Sequence, residues 1–306
     1  MKRRVILILL LLNSSIFAQT SGATAEAEAR RRAFEEEQAR RAERIKKEQE
    51  FNRLKIISTT APNASRKVPI APLKLSKEQT KRRRPDAEDS ARFADFLKLP
   101  QTGLFKLFPD IGCFSKNVVS VAEECQNAMP LSSYYSFQKR DYTGQIAEIG
   151  LKDENFYSRG LLTNALLVTL GDVPIETVSI NSDGIKFLAD YQPARNNKEI
   201  LAKQEELTEG IKNGNYQYSD SASALENTTY AVRVIAYQGK ILFPLGDTGR
   251  SYNLLEKDKR ADIIVVFRTV KKSADGSLTI LWKQLQRKES PKIELSKEEQ
   301  QKYLSN

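Results

Sequence analysis

Two short patterns in this 306-residue chain have residue types and spacing that could do chemistry. Asp247-Thr248-Gly249 matches the aspartic-protease tripeptide, in which two such loops bring carboxyl groups together to share one proton. It occurs once, between Gly246 and Arg250, whereas that loop needs apolar residues before it and a small residue after it. A single copy works only across a symmetric dimer, and a tight turn between strands explains the same letters. Ser136-Phe137-Gln138-Lys139 fits S-x-x-K, the Ser/Lys acyl-transfer pattern, which needs its pair on one helical turn. Here it falls in an expected strand, where i and i+3 point to opposite faces, and neither S-D-N nor K-T-G follows; the pattern is set aside.

The chain has no histidine and two cysteines. That removes the commonest general base, the Ser-His-Asp and Cys-His arrangements, and zinc sites built from His and Cys. Carboxylate pairs of the glycosidase kind stay open, with Asp172 and Asp247 as the acidic candidates. Gly246, Gly249 and their neighbours fit neither G-x-G-x-x-G nor the P-loop, so no catalytic, cofactor-binding or metal-ligating residue is assigned and no cofactor is expected.

The net charge of +10 is unevenly placed. Lys2, Arg3 and Arg4 carry +3, residues 23–57 carry +2 and residues 58–85 carry +7, which leaves −2 for residues 86–306. A nucleic-acid-binding domain carries its positive charge on its own folded face, so nucleic acid is not an expected partner.

Residues 1–18 read as a signal peptide: a basic start, an apolar run Val5–Leu12 too short to span a membrane, and cleavage between Ala18 and Gln19. The chain is therefore expected to be secreted or periplasmic in a bacterium, with no transmembrane span after cleavage. Residues 19–57 read as a charged helix, with Glu26/Arg30, Glu28/Arg32, Glu36/Arg40, Glu37/Arg41 and Glu43/Lys47 as (i, i+4) pairs. Its sparse large apolar residues hold no heptad, so it is a solvated spacer or a weak self-association helix. Residues 58–85 form a basic, proline-containing linker with at most one short helix, started by Ser76 and Gln79 as a capping box. Lys81, Arg82, Arg83 and Arg84 at its end suggest contact with an anionic surface, lipid headgroups or acidic wall polymer.

The globular domain is expected over residues 86–290, followed by a tail helix in 291–306 capped by Ser296 and Glu299. Asp86 is placed as an N-cap, with Phe93, Phe96 and Leu97 on one side of a short helix; residues 102–114 are too apolar for a free loop and should pack on the sheet. Cys113 and Cys125, an even pair in an exported protein, are expected to form a disulfide. Strands are predicted near 132–138, 143–151, 161–170, 175–181, 215–220 and 228–238, and a helix over Asn196–Ile211. The strongest signal is the hairpin of Ala261–Val270 and Leu278–Leu285 around Asp275-Gly276. A three-residue loop sets Val270 opposite Ile280 and Arg268 opposite Trp282, as a cation–π pair, with Ile264, Val266 and Val270 on the face of Leu278, Ile280 and Trp282. The first strand, apolar on both faces, is expected in the sheet interior. The aromatics Tyr134, Tyr135, Phe137, Tyr216, Tyr218, Tyr230, Tyr237 and Trp282 read as core or cross-strand pairs before a stacking surface. The fold class is α+β: a mostly antiparallel sheet or partly open barrel of seven or eight strands with two helices.

The phrases ARFADFLKLPQTGLFKLFP, YYSF, LGDVPIETV and DGSLTILWKQL, in that order, resemble a group of secreted bacterial proteins of unknown function. The likeness covers residues 91 to about 287 and implies no activity, cofactor or site. The functional expectation is a non-enzymatic binding or structural protein of the cell envelope, its basic stalk against an anionic surface. The alternative is a carboxylate-based envelope hydrolase, which would place two acidic side chains facing each other in a pocket; a binding module would expose an aromatic or apolar patch.

Overall fold

The hairpin around Asp275-Gly276 is the centre of the architecture, in a computed structural model describing residues 75–111, 114–115, 118–119, 129–142, 147–152, 154–244, 251–256 and 258–305. The signal peptide, the charged helix, most of the basic linker, Cys113, Cys125 and Asp247 lie outside the described residues. The chain divides into two compact units, and Pro69–Leu304 carries every described strand; the expected boundary at Asp86 falls inside that unit.

In chain order the strands are β1 Thr102–Leu107, β2 Phe114–Ser115, β3 Val118–Val119, β4 Tyr134–Ser136, β5 Asp141–Tyr142, β6 Ile149–Lys152, β7 Asn155–Tyr157 and β8 Thr163–Gly171. They continue as β9 Ile211–Asn213, β10 Tyr216–Ser219, β11 Ser221–Ser223, β12 Thr228–Ala236, β13 Leu242–Pro244, β14 Ser251–Asn253, β15 Asp262–Lys272 and β16 Leu278–Lys288. A seven-stranded sheet runs β1-β16-β15-β12-β8-β10-β9 and a five-stranded sheet runs β11-β7-β6-β4-β5, with antiparallel pairing throughout and neither sheet closed. The helices are α1 Lys77–Arg82, α2 Ala87–Arg92, α3 Ala94–Leu97, α4 Ile185–Asp190, α5 Asn197–Glu209 and α6 Lys297–Ser305. The expected α+β class holds, with short helices beyond the two anticipated.

Alternation along the central strands divides the core in two. Leu166 and Val168, Ala231 and Ile235, and Ile264 and Val266 face the helices, where Ile185 and Leu188 of α4 and Ile200 and Leu207 of α5 cover them. Ala165 and Leu167, Val232 and Val234, and Ile263, Val265 and Phe267 face the second sheet and meet Phe137, Ile149, Leu151 and Phe156. Burial on both faces explains why β15 reads as a continuous apolar run.

The hairpin register departs from expectation over its middle stretch. Next to the turn, Lys272 pairs with Leu278 and Lys271 with Thr279, as the expected register requires. Val270 is then left over at a bulge, so Thr269 pairs with Ile280 and Phe267 with Trp282. One extra residue exchanges the facing partners from there to Val265, opposite Gln284; a second bulge then leaves Leu285 over and restores the expected register at Ile264, opposite Gln286. Leu278, Ile280 and Trp282 therefore join Ile263, Val265 and Phe267, while Ile264, Val266 and Val270 join Leu281. At the turn Gly276 takes φ +76°, and the Asp275 carboxylate accepts from the Ser277 N–H and Oγ–H.

Three other expectations change. Residues 175–181 are not a strand: Pro174 opens a 3-10 turn over Ile175–Thr177, and Ile175 and Val178 tuck into the helix-side core. The segment expected only to pack on the sheet joins it as edge strand β1. Helix α4 forms where no element is predicted, directly after Gly184 at φ +79°. Helix α5 lies where expected, its Asn196 cap accepting from Glu199 N–H at 2.9 Å and its end set by Gly210 at φ +94°. In α6 the Ser296–Glu299 box forms as read, and Glu299 also accepts from Asn197 at 3.2 Å. Among the described residues no helix is long and apolar enough to cross a membrane.

Candidate binding surface

Helix α1 holds the basic run. It starts as anticipated, with Ser76 Oγ accepting from Gln79 N–H at 3.1 Å and Gln79 Oε1 accepting from Ser76 N–H at 2.9 Å. Lys77 and Lys81 follow at i and i+4 on α1, which places them along one side, Arg84 lies two residues past the helix end, and all three are exposed. Arg82 and Arg83 are partly buried against the body. The Arg82 guanidinium donates to Asp275 Oδ2 at 2.7 Å and sits 5.4 Å from the Phe108 ring centroid. The Arg83 guanidinium lies 4.4 Å over the Tyr142 ring, and the Tyr142 hydroxyl donates to Lys106 O at 2.5 Å. Burial alone would raise the Asp275 carboxyl, but hydrogen bonds from Ser277 and Arg82 hold it below its ordinary value.

Asp86 begins α2 without a side-chain cap. Its carboxylate instead takes Lys106 and Lys271, each at 2.8 Å, and these hydrogen bonds lower its pKa. The Lys81–Arg84 quartet is thus split into two outward cations and two inward ones, a division that four consecutive basic letters do not reveal.

A second exposed feature is the β13–β14 hairpin. Phe243 and Tyr252 are direct cross-strand partners with ring centroids 5.5 Å apart, each about two-fifths exposed at 42%. Leu242, 40% exposed, is paired with Asn253 and lies on the opposite face by alternation. Asn253 Oδ1 accepts from Ile241 N–H and Leu255 N–H and so pins the hairpin base beside the buried Ile241. The sequence reads as a tight turn between strands at Asp247-Thr248-Gly249 without placing those strands; β13 and β14 flank that tripeptide, and their signal is the apolar pair of runs ILFP and SYNLL.

Asp172 and the described interior carboxyls Glu148 and Asp258 are separately engaged. Asp172 is exposed and ion-pairs Arg268 at 2.5 Å, and Arg268 also donates to Val173 O and Thr229 Oγ1. Arg268 therefore does not stack on Trp282: it lies across from Leu281, and Arg140 approaches the indole, at 5.8 Å. Tyr135, Phe137, Tyr218, Tyr230, Tyr237 and Trp282 are buried, which bears out the core reading of the strand aromatics.

Glu148 is 3% exposed, and burial pushes its carboxyl above the ordinary value. Its Oε1 accepts from Ser136 Oγ at 3.2 Å and Gln138 Nε2 at 3.1 Å, while Oε2 has no hydrogen-bond partner. Ser136 is fully buried and its Oγ accepts from Lys139 N–H, so the S-x-x-K letters build a turn. Asp258 is paired with Arg260 at 2.8 Å, and Arg260 donates to Leu161 O, Leu162 O and Thr163 Oγ1. No hydrogen bond joins two carboxyls among those described.

No family model, no curated protein and no solved structure matches the chain.

Proposed function

We propose that this is an exported, non-enzymatic binding or structural protein of the bacterial cell envelope, held at an anionic surface through its basic segment. The observation that carries the reading is the set of exposed cations Lys77 and Lys81 on α1 and Arg84 just past its end, on a segment that Arg82 and Arg83 fasten to the body. Cations on an ordered segment meet an array of negative charges without the ordering cost of a loose tail. Each contributes roughly 1 kcal/mol near an anionic lipid surface. The exposed Phe243 and Tyr252, side by side on one face of the β13–β14 hairpin, add an apolar contact of the kind binding surfaces use. A hydrolase reading has less support, because Asp172 is tied to Arg268, Asp258 to Arg260, and Glu148 is enclosed. Export with cleavage after Ala18, a Cys113–Cys125 disulfide and weak self-association through residues 19–57 belong to the same proposal.

The mature chain carrying Lys77→Ala, Lys81→Ala and Arg84→Ala should be retained less on phosphatidylglycerol vesicles in low salt. Unchanged retention would reduce these cations to a solvated face.

A further inference from the structure

The two inward arginines of the basic run are occupied by the body itself. Arg82 and Asp275 are each about one-third exposed, at 32% and 29%, and their ion pair bridges the start of the folded unit to the tip of the central hairpin. Arg83 is held over Tyr142, whose hydroxyl also reaches Arg83 O at 3.4 Å. The run thus presents Lys81 and Arg84 outward while Arg82 and Arg83 are docked on the body.

We infer that the body partly masks its own anion-binding run, so that an anionic phospholipid surface competes with Asp275 and Tyr142 for Arg82 and Arg83. The inference rests on the envelope-surface reading above and adds a regulated element to it. Phospholipid is the fitting competitor because the exposed Lys77, Lys81 and Arg84 flank the docked pair within a few residues, and a sheet of headgroup phosphates meets several such cations at once. A partly exposed ion pair is a weak one, within reach of the attraction each cation gains beside anionic lipid. Contact by the outward cations brings the docked pair next to the competing charge, and release of the arginines then strengthens the contact.

Asp275→Asn isolates the effect. Arg82 uses Oδ2, whereas the turn uses Oδ1, which an amide oxygen replaces as acceptor for Ser277 N–H and Oγ–H. In the full mature chain this variant should be cleaved faster by trypsin after Arg82, and its retention on phosphatidylglycerol vesicles should rise about fivefold. Phosphatidylcholine vesicles should retain neither protein. Faster cleavage with unchanged retention, an equal rise on phosphatidylcholine, or cleavage no faster than in the parent would each overturn the masking. The triple alanine variant separates the two readings. If it binds phosphatidylglycerol less than the parent while Asp275→Asn changes nothing, only the masking fails; if it binds as well as the parent, the envelope-surface reading fails.

Discussion

Glu148 shows what a single residue can and cannot reveal from its letter. Nothing in the run IAEIG marks this glutamate as internal, since an acidic residue beside isoleucines in a strand ordinarily faces water. Only packing of the second sheet against the first closes it in, with Ser136 and Gln138 on one carboxyl oxygen and no partner on the other. Its raised pKa fixes the sign of a pH effect. Between the ordinary glutamate value and the folded one, the native state keeps a proton that the unfolded chain has released, so stability falls as pH rises through that window. Glu148→Gln should remove this loss while keeping the acceptor for Ser136 and Gln138. The variant should match the parent in acid and exceed it at neutral pH by about 1–3 kcal/mol, the usual cost of an unmet buried polar group. Urea denaturation at several pH values measures this, and parallel curves for the two proteins would contradict it.

At the scale of elements, the hairpin was legible and the register of its middle stretch was not. Asp275-Gly276 and the β-branched runs specify a tight return, and the pairing nearest the turn follows from local geometry. The bulge at Val270 answers to a nonlocal demand: Trp282 must face the second sheet beside Phe137, where its ring lies 5.3 Å away, and across Gly103 of β1. Helix α4 was missed for a related reason. Its short run IKFLAD is held at its end by Arg233 of β12, which donates to the carbonyls of Leu188, Ala189 and Tyr191 and pairs with Asp262 through Nε at 2.8 Å and a second nitrogen at 2.6 Å. A distant buried arginine thus satisfies carbonyls that a six-residue helix leaves open. Asp262→Ala would strand that guanidinium in the core and should cost about 3–5 kcal/mol by chemical denaturation. A loss below about 1 kcal/mol, the range of exposed pairs, would show that the pair is wet.

For the molecule as a whole, the partition of charge is the property most directly written in the composition. Residues 58–85 carry +7 against −2 for residues 86–306, and no folding can change those totals. The proposed leader rests on the same kind of feature, the length and hydropathy of a short N-terminal run. Material recovered from the native host should begin at Gln19; N-terminal sequencing that finds Met1 on exported protein would contradict cleavage. The missing histidine and the capping boxes at Ser76 and Ser296 were likewise determined by the chain alone, since each depends on residue identity or on neighbours within four positions. Tertiary structure decided which of Lys81, Arg82, Arg83 and Arg84 face outward, that Arg268 meets Asp172 instead of Trp282, and that Glu148 is enclosed. Those outcomes depend on groups brought together from distant parts of the chain, Arg82 with Asp275 among them. Local periodicity carries no information about such encounters, because they are fixed by how two sheets and their covering helices pack.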